Sequence, residues 1–189
     1  VGVQQEEYEL IDRILEGEEA SYKILVDKYK SYAFSLSLRI LNNREDAEEA
    51  SMDAFVKAFH SLKGFNRNSK FSTWLYRIVF NTSLTYKKKQ KLNQSIDDTY
   101  LGETLESEET DELQEKDQRK FIMQALKELL PMDATILSLF YLKENTLEEI
   151  GEVVGMNPNS VKVKLFRARK RLADELTKNL SHEAIALIK

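Results

Sequence analysis

Between Lys63 and Lys91 the chain carries eight basic side chains and no carboxylate. The cations are Lys63, Arg67, Lys70, Arg77, Lys87, Lys88, Lys89 and Lys91, interleaved with Phe65, Phe71, Trp74, Tyr76, Phe80 and Tyr86. Rings beside cations suit unpaired nucleic acid, whose bases stack on the rings while Lys and Arg hold the backbone. Helical spacing divides the stretch. Phe71, Trp74, Leu75 and Ile78 share a core-facing side. Arg77, Asn81, Thr85 and Lys88 fall on another side, open to DNA. The Asn81 amide both donates and accepts, so it can read a base edge.

A second basic block, Met156 to Ala173, holds Lys162, Lys164, Arg167, Arg169, Lys170 and Arg171 with no acid. It follows a pair of helix signals. Thr146 with Glu149 has the form of a capping box. Leu147, Ile150 and Val154 make a short amphipathic helix, and Gly155 permits a tight turn. Asn157 then caps a second helix with Pro158 at its first position, where a missing N–H costs nothing. That helix buries Val161, Leu165, Ala168 and Leu172. Two capped helices, a glycine turn and a basic second helix make a helix-turn-helix, whose second helix enters the major groove. Asn159, Ser160, Lys162, Lys164 and Arg167 are the candidates for bases or nearby phosphates. Arg169 and Arg171 lie further along and fit phosphate contacts.

The elements that must position these residues are all helical. The 189 residues include 6 Gly and 2 Pro, and 42% are hydrophobic. The length suits one domain or two small ones, and few breakers with enough apolar mass predict an all-α fold. Tyr8, Ile11 and Leu15 mark a first helix. Tyr22, Leu25, Val26 and Tyr29 mark a second, and Ala33 to Leu41 is apolar on most sides and belongs deep in a core. Asn43 is placed to cap the next helix, with acids in its first turn. Ala47, Ala50, Ala54, Phe55, Ala58, Phe59 and Leu62 form its buried stripe, and Gly64 is expected to end it. Glu45, Asp46, Glu48, Glu49 and Asp53 point outward, as a solvated acidic face or as a docking face for a basic protein. Helices resume near Asp117. Phe121, Ile122, Ala125, Leu126 and Leu129 form one face up to Pro131, and Ile136, Leu137, Phe140 and Tyr141 the next.

Charge is blocked along the chain. Asp97 to Asp117 holds ten acids against Lys116 alone, so a net charge of −4 hides two basic surfaces. Few apolar residues there predict a flexible acidic linker. The domains are therefore expected at 1–91 and 116–189, with the linker at 92–115. No apolar run reaches the about eighteen residues of a membrane span. No secretory signal is seen at the start, and there is no cysteine, which fits a cytoplasmic protein. The two histidines, His60 and His182, are far apart in sequence. No phosphate-cradling glycine loop, metal cluster or catalytic constellation is legible, so no cofactor, metal or enzymatic role is expected.

The motifs DAEEASMDAFVKAF, KFSTWLYRIVFNT and LEEIGEVVGMNPNSVKVKLFRARKRL, in that order and separated by an acidic linker, resemble the extracytoplasmic-function (ECF) sigma factors of the sigma-70 family. The similarity runs from about Glu16 to Leu176. It implies a sigma-2 domain followed by a sigma-4 domain, and a chain that directs promoter-specific initiation by core RNA polymerase. The helix carrying Asp46, Glu48, Glu49, Met52, Asp53, Phe55 and Val56 would dock on the β′ clamp helices, and the second domain on the β flap. Phe65, Asn66, Arg67, Ser69, Lys70, Phe71, Trp74, Tyr76, Arg77, Asn81, Thr85 and Lys88 would melt and read the minus-ten element, a flipped base being held near Phe65–Lys70. Asn159, Ser160, Lys162, Lys164, Phe166, Arg167, Arg169 and Arg171 would read the minus-thirty-five element. The resemblance further implies a free monomer held by an anti-sigma factor.

The chain departs from the family pattern in places. Met52-Asp53 stands where Gln-Glu is usual, Asn157-Pro158-Asn159-Ser160 where Pro-Gly-Thr is common, and Val163 where a small polar residue often sits. These bear on which promoter is read. Two other readings of the same residues are a stand-alone helix-turn-helix regulator, which would be a dimer on a palindromic site, and a nucleic-acid-processing enzyme.

Overall fold

A computed structural model of the chain describes residues 2–94, 122 and 124–186. All regular elements among them are helices. The N-terminal half comprises α1 (Gly2–Leu15), α2 (Tyr22–Leu41), α3 (Arg44–Ser61) and α4 (Phe71–Gln94). The C-terminal half has a short helical stretch at 124–127, then α5 (Pro131–Leu142), α6 (Leu147–Val154) and α7 (Pro158–Ala186).

The alanine stripe of α3 explains the first bundle. Ala47, Ala50, Ala54 and Ala58 are fully buried, and their small side chains bring α3 close against α2 and α4. The α2–α4 crossing is equally close. Ser37 and Ser83 face each other across it in a hydroxyl–hydroxyl bond of 2.9 Å. The Asn43 side chain accepts the Asp46 amide at 2.9 Å and caps α3 as expected. Gly64 does not end that helix in a left-handed turn. A 3-10 turn over Leu62–Gly64 continues from Ser61 instead. The left-handed helix end belongs to Asn42, at φ 53°, after α2, where Lys87 donates to the Leu41 carbonyl.

Three core expectations shift. On α1 the buried face is Leu10, Ile11 and Ile14, while Leu15 is exposed. Tyr141 and Ile122 are also exposed. Phe121 and nearly all of the acidic linker lie outside the described residues. The helix of the acid-free stretch runs to Gln94, three residues into the span assigned to the linker.

The two halves are in contact. α4 packs on α6, and α2 on α5. One apolar cluster runs through both, from Leu36, Phe71 and Val79 to Ile136, Ile150 and Val153.

Candidate nucleic-acid interface

Three surfaces carry the expected chemistry, each built on a helix. The first is the outer side of α4. Arg77, Asn81, Thr85 and Lys88 are all exposed along it, as their spacing requires. The Thr85 hydroxyl donates to the Asn81 backbone carbonyl at 3.0 Å, and the exposed Asn81 amide group has no partner among the described residues. Arg77 and Lys88 have no carboxylate partner among the described residues.

The rings of the same stretch are mostly core. Phe65, Phe71 and Tyr76 are buried, Phe71 completely. In this conformation they cannot take up bases, and they must be withdrawn from the exposed reading surface. Phe71 packs between Phe65, Trp74 and Tyr29, all with ring centroids 5.7 Å away. Burial also pushes the phenols of Tyr29, Tyr32 and Tyr76 far up from their ordinary range. Trp74 and Tyr86 are only half-buried and remain the rings of the stretch at the surface.

The loop between α3 and α4 forms the rim. Asn66 accepts the Asn68 amide at 3.1 Å, and Arg67 takes a left-handed conformation at φ 60°, uncommon for a side chain of this size. Its guanidinium pairs with Asp12 and lies 5.3 Å above the Tyr8 ring. Lys70 pairs with Glu149 at 2.7 Å. Burial pushes the Glu149 carboxyl up, but hydrogen bonds from Lys70, Thr146 and Asn145 outweigh it and leave the group below the usual carboxylate range. Ser69 is half-buried between these two cations.

The second surface is the helix-turn-helix. Both bonds of the capping box are present, Glu149 N–H to Thr146 at 3.2 Å and Thr146 N–H to Glu149 at 2.9 Å. Gly155 is left-handed at φ 72°. Asn157 accepts the Ser160 amide at 2.8 Å and caps α7. The helices meet so closely at Gly151 that an added Cβ would lie 2.5 Å from the Met156 carbonyl oxygen. On α7, Asn159, Lys162 and Arg167 are exposed, and Phe166 stands out at 70% exposure. Lys164 and Ser160 are half-buried. Two of the expected phosphate contacts have partners inside the domain. Arg171 is paired with Asp133, a residue only 1% exposed. Arg169 stacks 5.2 Å over Phe140 and 5.3 Å over Tyr141. Sequence spacing could not find either partner, because both lie on another helix.

The third surface is the outer side of α3. Met52 and Val56 are 70% and 55% exposed, an apolar pair among Glu45, Glu48 and Glu49. Asp46 and Asp53 are turned toward α4, where they accept from Gln90 and Tyr86. Phe55 is core, not surface, and leaves the docking set. Its carbonyl accepts the Tyr22 hydroxyl at 2.7 Å.

Two family models match this architecture, sigma-70 region 2 at residues 25–92 and sigma-70 region 4 at residues 119–172. The ECF sigma factor SigW of Bacillus subtilis is 30% identical over 176 residues, covering 88% of this chain and 94% of its own. This chain belongs to the ECF sigma factors of the sigma-70 family. The ECF sigma-E factor of Escherichia coli K12 is 27% identical, covering 88% and 92% of the two chains. Among solved structures, RpoE of Bartonella quintana in complex with the anti-sigma factor NepR has a TM-score of 0.68 at 18% identity, covering 82% of this chain and 96% of that one. CnrH in complex with the cytosolic domain of CnrY has a TM-score of 0.61 at 19% identity, over 89% and 96%. These two likenesses concern the fold. Region 2 thus spans α2 to α4, and region 4 spans the helix-turn-helix. No helix among the described residues is long and apolar enough to cross a membrane.

Proposed function

We propose that this sigma factor binds core RNA polymerase and directs it to promoters of one class. The observation that carries the reading is the coexistence of two exposed cationic surfaces, Arg77 and Lys88 on α4 and Lys162 and Arg167 on α7, in one chain that matches both sigma-70 regions. The α3 face with Glu48, Glu49, Met52 and Val56 docks on the polymerase. The α4 ribbon of Arg77, Asn81, Thr85 and Lys88, with the rim of Asn66, Arg67, Ser69, Lys70 and Trp74, opens and reads the minus-ten element. Asn159, Lys162, Phe166 and Arg167 read the minus-thirty-five element, Phe166 by apolar contact with a thymine methyl. The chain specifies the site of initiation and contributes no catalysis of its own. It acts in the cytoplasm, where polymerase and promoter are, and an anti-sigma protein is the expected inhibitor. Two relatives of the same fold are described with one bound.

The test is binding of the labelled chain to core polymerase against a housekeeping sigma factor, then transcription from a promoter library. Competable binding and a defined promoter class are expected. Val56→Asp should lower polymerase affinity at least tenfold with no change in melting temperature, since the side chain is more than half exposed and carries no core. A folded wild-type chain that fails to bind polymerase but binds a palindromic duplex as a dimer would overturn the proposal and favour a stand-alone regulator.

A further inference from the structure

With polymerase docked on α3 and DNA read by α4, the setting of one helix against the other decides where the reading ribbon stands on the promoter. A row of side-chain bonds joins the two. Lys57 donates to the Thr82 hydroxyl at 3.3 Å, the Tyr86 hydroxyl donates to Asp53 at 2.7 Å, and the Gln90 amide donates to Asp46. Thr82, Tyr86 and Gln90 recur every four residues and so share one side of α4. Asn81 and Thr85 of the exposed ribbon are the chain neighbours of Thr82 and Tyr86. A roll of α4 that breaks the row therefore carries the ribbon with it. Apolar packing holds this end of α4 weakly. Beyond Phe80 its buried side chains are Thr82 and Ser83, both polar. The small separate cluster there buries Leu41, Ala47 and Ala50, with Tyr86 half-buried against it. Apolar contact is non-directional, whereas a hydrogen bond fixes direction.

We propose that Asp46 and Asp53 are positioning residues, which through Gln90 and Tyr86 hold the DNA-reading ribbon of α4 in register with the polymerase-docking face of α3. The inference rests on the sigma-factor reading for what is aligned. Burial supports it. Both acids are half-buried, while Glu45, Glu48 and Glu49 of the same helix are exposed. Asp53 also follows the exposed Met52 directly in the chain, so the docking face and the row of bonds share one turn of α3. Desolvation, with the bond to Asp53, pushes the Tyr86 phenol up from its ordinary range, and its hydroxyl stays protonated and donating at neutral pH. The donors of Tyr86 and Gln90 are neutral, so each bond requires an acceptor oxygen and not a charge. A contact with a basic polymerase surface would require the charge.

That difference supplies the test. Asp53→Asn keeps an acceptor for Tyr86 and loses the charge, whereas Asp53→Ala loses both. Tyr86→Phe keeps the ring and loses the donor; it is the sharper variant, because Glu49 also faces the Tyr86 hydroxyl. Core-polymerase affinity is measured by titration, and strand opening by permanganate reactivity of promoter thymines at saturating polymerase. Asp53→Ala and Tyr86→Phe should each lower opening by about threefold to tenfold, the worth of one hydrogen bond, with core affinity unchanged. The double variant should be no worse than Tyr86→Phe alone. Asp53→Asn should recover opening to within about twofold of wild type, since its amide oxygen still accepts. Asp46→Ala and Asp46→Asn should divide in the same way. Loss of core affinity shared by Asp53→Asn and Asp53→Ala would overturn the proposal and return the acid to the docking set. Normal opening by Tyr86→Phe, whose ring packing is intact, would overturn it as well, even where Asp53→Ala fails to fold. A wild-type chain that binds no polymerase would refute the sigma-factor reading instead. The bond is then judged in the free chain, where Asp53→Ala and Tyr86→Phe should couple in unfolding by about threefold, and strictly additive effects would overturn it.

Discussion

Arg171 lies on the basic helix proposed to read DNA, yet its Nη1 is turned toward the buried Asp133 of α5. Replacing Arg171 by Ala should therefore act on stability before it acts on DNA. The carboxylate is 1% exposed and the guanidinium side chain about half exposed. Removing one partner of a fully buried pair costs about 3–5 kcal/mol, because the other charge is stranded. Water reaches Arg171 in the folded chain, so the pair starts partly screened and the loss should be about 2–3 kcal/mol. For a chain of this size each kcal/mol shifts the melting temperature by about 2–4 °C, which gives a fall of roughly 4–12 °C. The reciprocal change, Asp133→Asn, should cost less, because Arg171 can turn to solvent.

The same variant discriminates between two jobs for Arg171. Binding that neutralises phosphates falls with salt by a slope of about 0.9 per phosphate. Lys162→Ala should reduce that slope by about one for promoter binding by the assembled holoenzyme. Arg171→Ala should leave the slope unchanged while melting earlier. Scanning calorimetry and a salt titration on the two variants give the answer together. If Arg171→Ala melts within 1 °C of wild type and lowers the slope, the Asp133 pair is incidental and Arg171 is a phosphate contact.

Three further outcomes are expected. Gly151→Ala places a methyl 2.5 Å from the Met156 carbonyl oxygen, and the turn must shift. A loss of about 1–3 kcal/mol in denaturant unfolding is expected, and unchanged stability would contradict the tight α6–α7 turn. Asn81→Ala should lower open-complex formation on promoter DNA with polymerase affinity unaltered, since Asn81 is exposed and its amide bonds nothing among the described residues. The Glu149 carboxyl is held below its ordinary value of 4.5 in the folded chain. Its contribution to stability is thus complete above pH 4.5 and fades as pH falls through the lowered folded-state value. The melting gap between wild type and Glu149→Gln should be widest at neutral pH and close in acid, and a gap that grows on acidification would refute the assignment.

What the sequence revealed was local. The capping box at Thr146–Glu149, the left-handed Gly155, the Asn157 cap and Pro158 all lie within thirteen residues, and each determines its own backbone geometry. The alanine stripe of α3 was legible for the same reason, because periodicity on one helix names its buried side. The fate of Tyr76 was not. Its position on α4 fits a ring offered to bases, but Tyr32 of α2 lies 4.6 Å away and the C-terminal half closes over α4. Burial imposed by an element more than forty residues distant leaves no mark on local spacing. Phe55 failed as a docking residue for a different reason. Spacing alone puts it in the buried stripe of α3 and the family resemblance puts it in the docking set, and the structure sides with the spacing.

The acid-free stretch shows how charge should be read once the fold is known. It contains no carboxylate, yet the fold brings carboxylates to it from other helices. Asp12 of α1 takes Arg67, Asp46 and Asp53 of α3 take Gln90 and Tyr86, and Glu149 of α6 takes Lys70. These four acids leave bare on α4, besides Lys89 and Lys91 near its end, the ribbon of Arg77, Asn81, Thr85 and Lys88. A polyanion brought to this surface gains most where no carboxylate must first be displaced. It gains at Lys70 only after Glu149 has left. On the proposed reading, DNA takes the α4 ribbon before Lys70, because Lys70 must first lose a carboxylate of the chain.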